Sequence, residues 1–136
     1  MEENGWQSSD LPKISKDNLF QKHNRIRKSS DFQRVIEKGK AVVSPLFVIL
    51  FLPNGYSFSR LGISVRRKFG KAVHRNHIKR WIREVFRLDI QPMISGYDLV
   101  IIPRKKMADN KGSIPFNEVR QQIGKMVDQF KQNPLL

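Results

Sequence analysis

The stretch Phe69-Gly-Lys-Ala-Val-His-Arg-Asn-His-Ile-Lys-Arg-Trp-Ile-Arg-Glu-Val-Phe-Arg87 decides the fold of this 136-residue chain. It opens on a glycine turn and then reads as one amphipathic helix beginning near Ala72. At 100° per residue, Ile78, Trp81, Ile82, Val85 and Phe86 share a broad apolar face. Asn76, Lys79, Arg80, Arg83 and Arg87 fall on roughly the opposite face. One side is suited to pack on a sheet, while the other presents a row of positive charge. Glu84 is the single acid of the stretch. The i,i+4 neutralisation that a merely solvated helix face carries is therefore nearly absent. The row reads as a polyanion-binding face.

Working outward, Ser59-Arg-Leu-Gly-Ile-Ser-Val-Arg66 alternates, with Leu61, Ile63 and Val65 on one face and Arg60, Gly62, Ser64 and Arg66 on the other. Residues 46–52 are almost continuously apolar and β-rich, as expected of a central strand. Pro53-Asn-Gly55 marks a turn between the two, which predicts an antiparallel hairpin. Gly96-Tyr-Asp-Leu-Val-Ile-Ile-Pro103 predicts a third strand. Upstream, Phe32, Val35 and Ile36 share a helical face over residues 30–38, with Ser29 or Ser30 as N-cap and Gly39 as the stop. Ala41 to Val43 reads as a lead-in to Pro45, and Met107 to Ile114 as a loop. Phe116, Val119, Ile123, Met126, Val127 and Phe130 are spaced three and four apart, giving a terminal helix whose stripe is a core face. Pro134 ends it. The order is helix-strand-strand-helix-strand-helix, an α+β single-domain α/β sandwich.

Charge narrows the partners. Net charge is +14, and residues 60–87 carry ten Lys or Arg against one acid, leaving sixteen against eleven elsewhere. Such self-repulsion is relieved by a polyanion. Nucleic acid is the first candidate and an anionic membrane surface the second. No membrane partner is expected, because the apolar runs 47–52 and 99–103 are far too short to span a bilayer. No secretory signal is expected from Met1-Glu-Glu-Asn4 onward. The chain has no cysteine, which removes disulfide and thiolate chemistry and fits a cytoplasmic location. Residues 1–22 are assigned to a flexible N-terminal tail and residues 23–133 to one RNA-binding domain. The basic cluster His23-Asn-Arg-Ile-Arg-Lys28 reads equally as an arm that orders on RNA and as a solubilising segment.

Catalytic constellations are missing. His74 and His77 flank Arg75-Asn76, but no cysteine or compact acid cluster completes a zinc set. No Ser/His/Asp spacing or carboxylate cluster stands out. Gly70-Lys71 is too short to be a phosphate loop, although a glycine there lets the backbone approach a phosphate. Asn76 can read an adenine edge, but a loop-organising or phosphate role suits it better. Charge alone does not separate RNA from DNA.

Residues 60–87, from Arg60-Leu-Gly-Ile-Ser-Val-Arg66 through Arg75-Asn76, Lys79-Arg80, Arg83-Glu84 and Arg87, closely resemble the signature region of the bacterial ribonuclease P protein subunit. The likeness extends to Asp31-Phe-Gln-Arg-Val35, Gly39, residues 46–52 and residues 96–103, and covers roughly residues 23–130. It implies a left-handed βαβ crossover around the signature helix, which the usual right-handed rule would not suggest. It also implies a ribonuclease P holoenzyme subunit whose reaction is endonucleolytic removal of the 5′ leader from precursor tRNA. Catalysis is then expected from the RNA component, with no catalytic residue on the protein and magnesium bound mainly by the partner RNA.

The same resemblance divides the surface. Arg66, Arg67, Lys68, Lys71, Arg75, Asn76, Lys79, Arg80, Arg83 and Arg87 are expected to face the catalytic RNA. Phe32, Ile36, Phe47, Arg60 and Ser64 are expected to line a cleft for the precursor leader. Ile36 departs from the aromatic residue often found there, as does Leu50. Partners are thus the catalytic RNA and precursor tRNA with its 5′ leader, with no DNA. The alternative reading is a ribosomal or general structured-RNA-binding protein.

Overall fold

The computed structural model describes residues 24–110 and 112–133. The expected tail, His23 of the basic cluster and the Pro134 stop lie outside them. In chain order the elements are α1 (Ser29–Lys38), β1 (Lys40–Val43), β2 (Phe47–Pro53), β3 (Arg60–Ile63), a 3-10 turn (Arg67–Phe69), α2 (Ala72–Val85), a π turn (Phe86–Ile90), β4 (Tyr97–Pro103), α3 (Lys105–Asp109) and α4 (Phe116–Gln132). The fold is α+β, as the pattern of periods implies, but four strands form the sheet instead of three.

The strand order is β1-β2-β4-β3. β2 pairs antiparallel with both β1 and β4, and β3 pairs parallel with β4. The expected hairpin between residues 46–52 and 59–66 does not form, because β4 lies between them. Burial explains the insertion. Leu99, Val100 and Ile101 are apolar on both faces and fully buried, which only an interior position allows. β3 carries Arg60 and Gly62 on one face and tolerates the edge. The hairpin that does form is β1–β2, whose lead-in reading was incomplete. Ser44 makes its turn: its amide donates to the Phe47 carbonyl at 2.9 Å, its hydroxyl accepts from the Phe47 amide at 3.1 Å, and Gln122 Oε1 accepts from both the Ser44 hydroxyl at 2.7 Å and the Leu46 amide at 3.0 Å. The β3–α2–β4 unit joins two adjacent parallel strands through a helix.

The sheet has unlike faces. Phe47, Ile49, Phe51, Leu61, Leu99 and Ile101 point into the main core with Ile78, Trp81, Ile82 and Val85 of α2 and the α4 stripe. All six stripe residues of α4 are buried. Phe51 stacks on Phe130 with centroids 4.0 Å apart, and Trp81 meets Phe116 edge-on at 5.5 Å. Each fully buried side chain of this kind stabilises the fold by about 1.5–3 kcal/mol. The opposite face carries α1, whose Val35 is fully buried.

Three boundaries differ from expectation. Lys28, not a serine, is the N-cap of α1, and no side chain caps it. α2 passes into a π turn, closed by the Gln91 amide to the Phe86 carbonyl at 2.8 Å, instead of fraying at residues 88–89. Residues 105–109, which overlap the start of the expected loop at Met107, make a short helix with Met107 and Ala108 buried.

Candidate nucleic-acid interface

The signature helix starts where Gly70 breaks the chain direction at φ 156° and ψ −168°, a combination that a Cβ makes costly. Arg75 fastens this lead-in: its Nε donates to the Gly70 carbonyl at 3.2 Å. Arg66, Arg67, Lys68, Lys71, Asn76 and Arg80 are exposed, and Arg75, Lys79 and Arg83 are half-buried. The apolar face of α2 is consumed by the core, so these cations form a fixed row and not a mobile tail. Burial, and next the Arg25 charge, push the Arg83 guanidinium below its ordinary pKa. Crowded cations of this kind are relieved by an anion.

Arg87 does not belong to this row. It is 1% exposed and forms a forked ion pair with Glu84, Nη2 to Oε1 at 2.6 Å and Nε to Oε2 at 3.2 Å. Helical phase alone puts it with the other cations. That projection overlooks the carboxylate three residues earlier that takes its fork, and the burial of Glu84, Val85, Phe86 and Arg87 in succession at this end of the helix.

The second surface lies between α1 and its sheet face. Phe32 and Ile36 are half-buried there. The Phe32 ring rests on Gly62, where an added Cβ would stand 2.8 Å from a ring carbon. A methyl at Gly62 therefore displaces the ring, and Gly62→Ala is expected to cost about 1–2 kcal/mol, measured by urea denaturation. Arg60 sits at the end of this surface with its charge already engaged. It donates to Asp98 through Nε at 2.8 Å and Nη2 at 2.7 Å and lies 3.5 Å from Asp31. The Asp98 hydrogen bond raises its pKa against the opposing effect of burial. Ser64 follows β3 and is half-buried.

Phe47 is misplaced by the sequence reading. It is fully buried on the opposite face of the sheet, in the main core, and cannot meet a ligand in the cleft. In β2 the alternate residues Val48 and Leu50 point toward α1 and are half-buried. Val48 pairs in register with Ile102, and Leu50 with Val100, extending an apolar floor. Neither Val48 nor Ile102 was marked by sequence, because nothing polar in residues 46–52 labels the faces.

The two surfaces abut. Arg25, Ile26, Phe32, Gly62, Lys79 and Arg83 border one pocket of about 190 Å³. Arg25 reaches it because its segment runs beside β3, with the Ile26 amide donating to the Leu61 carbonyl at 3.0 Å. The basic cluster 23–28 gave the charge of this segment but not its docking. Among the described residues no three His, Asp or Glu side chains come together as a metal-holding group. Three acids on these elements are turned to arginines: Asp31 and Asp98 to Arg60, and Glu84 to Arg87. No helix among the described residues is long and apolar enough to cross a membrane.

Comparison with known proteins shows the family and the fold. Residues 20–131 match the family model described as Ribonuclease P. The ribonuclease P protein component of Thermotoga maritima is 43% identical over 104 residues, covering 76% of this chain and 89% of that protein. That of Caldanaerobacter subterraneus is 36% identical over 117 residues, covering 86% and 95%. The solved structure of the T. maritima protein superposes with a TM-score of 0.73 at 42% identity, covering 77% of this chain and 96% of that one. The Staphylococcus aureus RNase P protein structure gives 0.71 at 35% identity, covering 79% and 95%.

Proposed function

Because the chain belongs to the ribonuclease P protein family and so is read as a subunit of a tRNA-processing ribonuclease, we propose that it binds the catalytic RNA through the cationic face of α2 and holds the precursor's 5′ leader in the α1 cleft. The observation that carries this reading is the abutment of a fixed cation row with an apolar, aromatic-edged cleft. Phosphates are met by the row, and unpaired bases by Phe32 and its neighbours, since stacking tolerates any sequence.

In this reading the protein contributes no catalytic group. It lowers the repulsion between two RNAs and places the substrate, and the magnesium that supports hydrolysis of the phosphodiester is held mainly by the catalytic RNA. The complex acts in the cytoplasm. Duplex DNA is not the expected ligand, and equal affinity for matched duplex DNA and the catalytic RNA would overturn that expectation.

Reconstitution with the cognate catalytic RNA tests the proposal. At low magnesium, added protein is expected to increase cleavage of precursor tRNA at the mature 5′ end. No stimulation of RNA-dependent cleavage would sink it, and cleavage by protein alone would replace it with a protein nuclease. A preference for precursor over mature tRNA separates it from a general structured-RNA binder. Phe32→Ala is expected to lower precursor affinity about fivefold to tenfold and to leave affinity for mature tRNA unchanged, read by equilibrium binding to the assembled complex.

A further inference from the structure

The loop between β2 and β3 carries an exposed aromatic platform that neither RNA surface uses. Tyr56 is 50% exposed, one of three large apolar or aromatic side chains so placed among the described residues. It lies flat on Phe58, with ring centroids 5.1 Å apart and planes 9° from parallel. The Arg60 guanidinium carbon stands 5.1 Å from the Tyr56 centroid.

The platform is held in shape. Asn54 Oδ1 accepts from the Tyr56 amide at 2.8 Å, and Asn54 Nδ2 donates to the Phe58 carbonyl at 3.1 Å and to Asp98 Oδ1 at 2.9 Å. Gly55 makes the bend at φ 78°. Ser59 Oγ closes the loop, donating to the Ile94 carbonyl at 3.0 Å and accepting from the Tyr97 amide at 3.2 Å. A loop merely filling space has no need for so many bonds around one exposed ring.

Opposite the platform stands the segment leading to α1. Arg25, Arg27, Lys28 and Asp31 complete a pocket of about 530 Å³ with Tyr56, Phe58 and Arg60. Asp31 is the only acid lining it, and it is engaged by Arg34 at 3.1 Å and Arg60 at 3.5 Å. A flat ring beside several cations matches a nucleotide, with base on ring and phosphate on cation. A duplex keeps its base faces stacked and offers none to the ring, so the occupant is unpaired.

We infer that the pocket between Tyr56 and the segment Arg25 to Lys28 binds an unpaired nucleotide of the precursor's 5′ leader, as a second station beyond the α1 cleft. Continuity selects the leader over the catalytic RNA. Asp31 precedes Phe32 on α1, and Arg60 shares its sheet face with Gly62 beneath the Phe32 ring. A strand leaving the cleft at that end runs into Tyr56. The inference rests on the leader-binding reading proposed above.

The test uses the complex reconstituted with catalytic RNA and three ligands: precursor with a long leader, precursor whose leader fills the cleft alone, and mature tRNA. Tyr56→Ala is expected to weaken long-leader binding about tenfold and to leave the other two unchanged, while Tyr56→Trp retains the affinity. Arg27→Ala with Lys28→Ala is expected to make the salt dependence of long-leader binding shallower by about 1.4 in log–log slope. Equal losses for all three ligands, or no loss for the long leader, would overturn the station. The wild-type complex guards the comparison. If it does not distinguish precursor from mature tRNA, the leader-binding reading itself fails. If it does and Tyr56→Ala keeps that distinction undiminished, the station alone fails.

Discussion

Arg87→Met is expected to destabilise the folded protein by about 3–5 kcal/mol, seen as a lowered urea midpoint with an unchanged slope. The ion pair it breaks is inside the molecule: the side chains of Arg87 and Glu84 are 1% and 8% exposed. Taking two charges out of water is costly, and their mutual attraction in the interior offsets that cost only while both remain. Removing the guanidinium leaves a largely buried carboxylate with no counterion. Glu84→Ala is expected to be as damaging, because the Arg87 Nη1 already lacks a hydrogen-bond partner among the described residues. Exchanging both residues together, Glu84→Leu with Arg87→Met, is expected to restore most of the loss, since an apolar pair of similar volume needs no compensation. A domain of this size holds about 5–15 kcal/mol in total, so either single change removes a large fraction of its stability. The alternative, that Arg87 is one of the RNA-facing cations, makes the opposite forecast: intact stability and a weaker, less salt-dependent RNA complex. That outcome would show the pair to be open in solution.

Arg87 also marks where sequence stops being sufficient. Through Val85 the period of 3.6 separates Ile78, Trp81, Ile82 and Val85 from Asn76, Lys79, Arg80 and Arg83 without ambiguity, and both faces lie as the spacing predicts. At its end the helix is covered all round, with Glu84, Val85, Phe86 and Arg87 buried in succession, so phase no longer sorts buried from exposed. In β2 the difficulty is different. Residues 46–52 are apolar on both sides, so alternation says a strand is present but not which residues face the core. Phe47, read as a cleft residue, is in the core, and Val48 takes its place. The hairpin was misjudged because β4 arrives from forty residues later and displaces β3 from β2, a competition that local turn chemistry does not encode. The placement of Asn76, Lys79, Arg80 and Arg83 away from the core was legible because it follows from one helix. The adjacency of Arg25 to Lys79 and Arg83 was not, since it depends on a chain segment pairing beside β3.

Charge reversal at two positions of that helix, Arg80→Glu with Arg83→Glu, is expected to weaken binding of the catalytic RNA about a hundredfold. Two charge-assisted phosphate contacts at roughly 1.5 kcal/mol each account for that size. The loss is expected to shrink as salt rises, and the log–log salt slope to become shallower by about 1.4–1.8 for two phosphate contacts. Folding is expected to survive. Arg80 is exposed, and Arg83 is half-buried beside Arg25, so a glutamate at 83 gains an attractive neighbour where arginine had a repulsive one. Equilibrium binding across a salt series measures the affinity, and urea denaturation of the same sample establishes that the protein is intact. Phe32→Ala in parallel is expected to leave catalytic-RNA affinity unchanged while reducing precursor binding, because an apolar ring on Gly62 contributes nothing to a phosphate contact. If both variants lose catalytic-RNA affinity to the same degree, the two faces act as one surface and the division between α2 and the α1 cleft is wrong. If the double reversal loses affinity with no change in salt slope, the arginines shape the helix instead of touching phosphate.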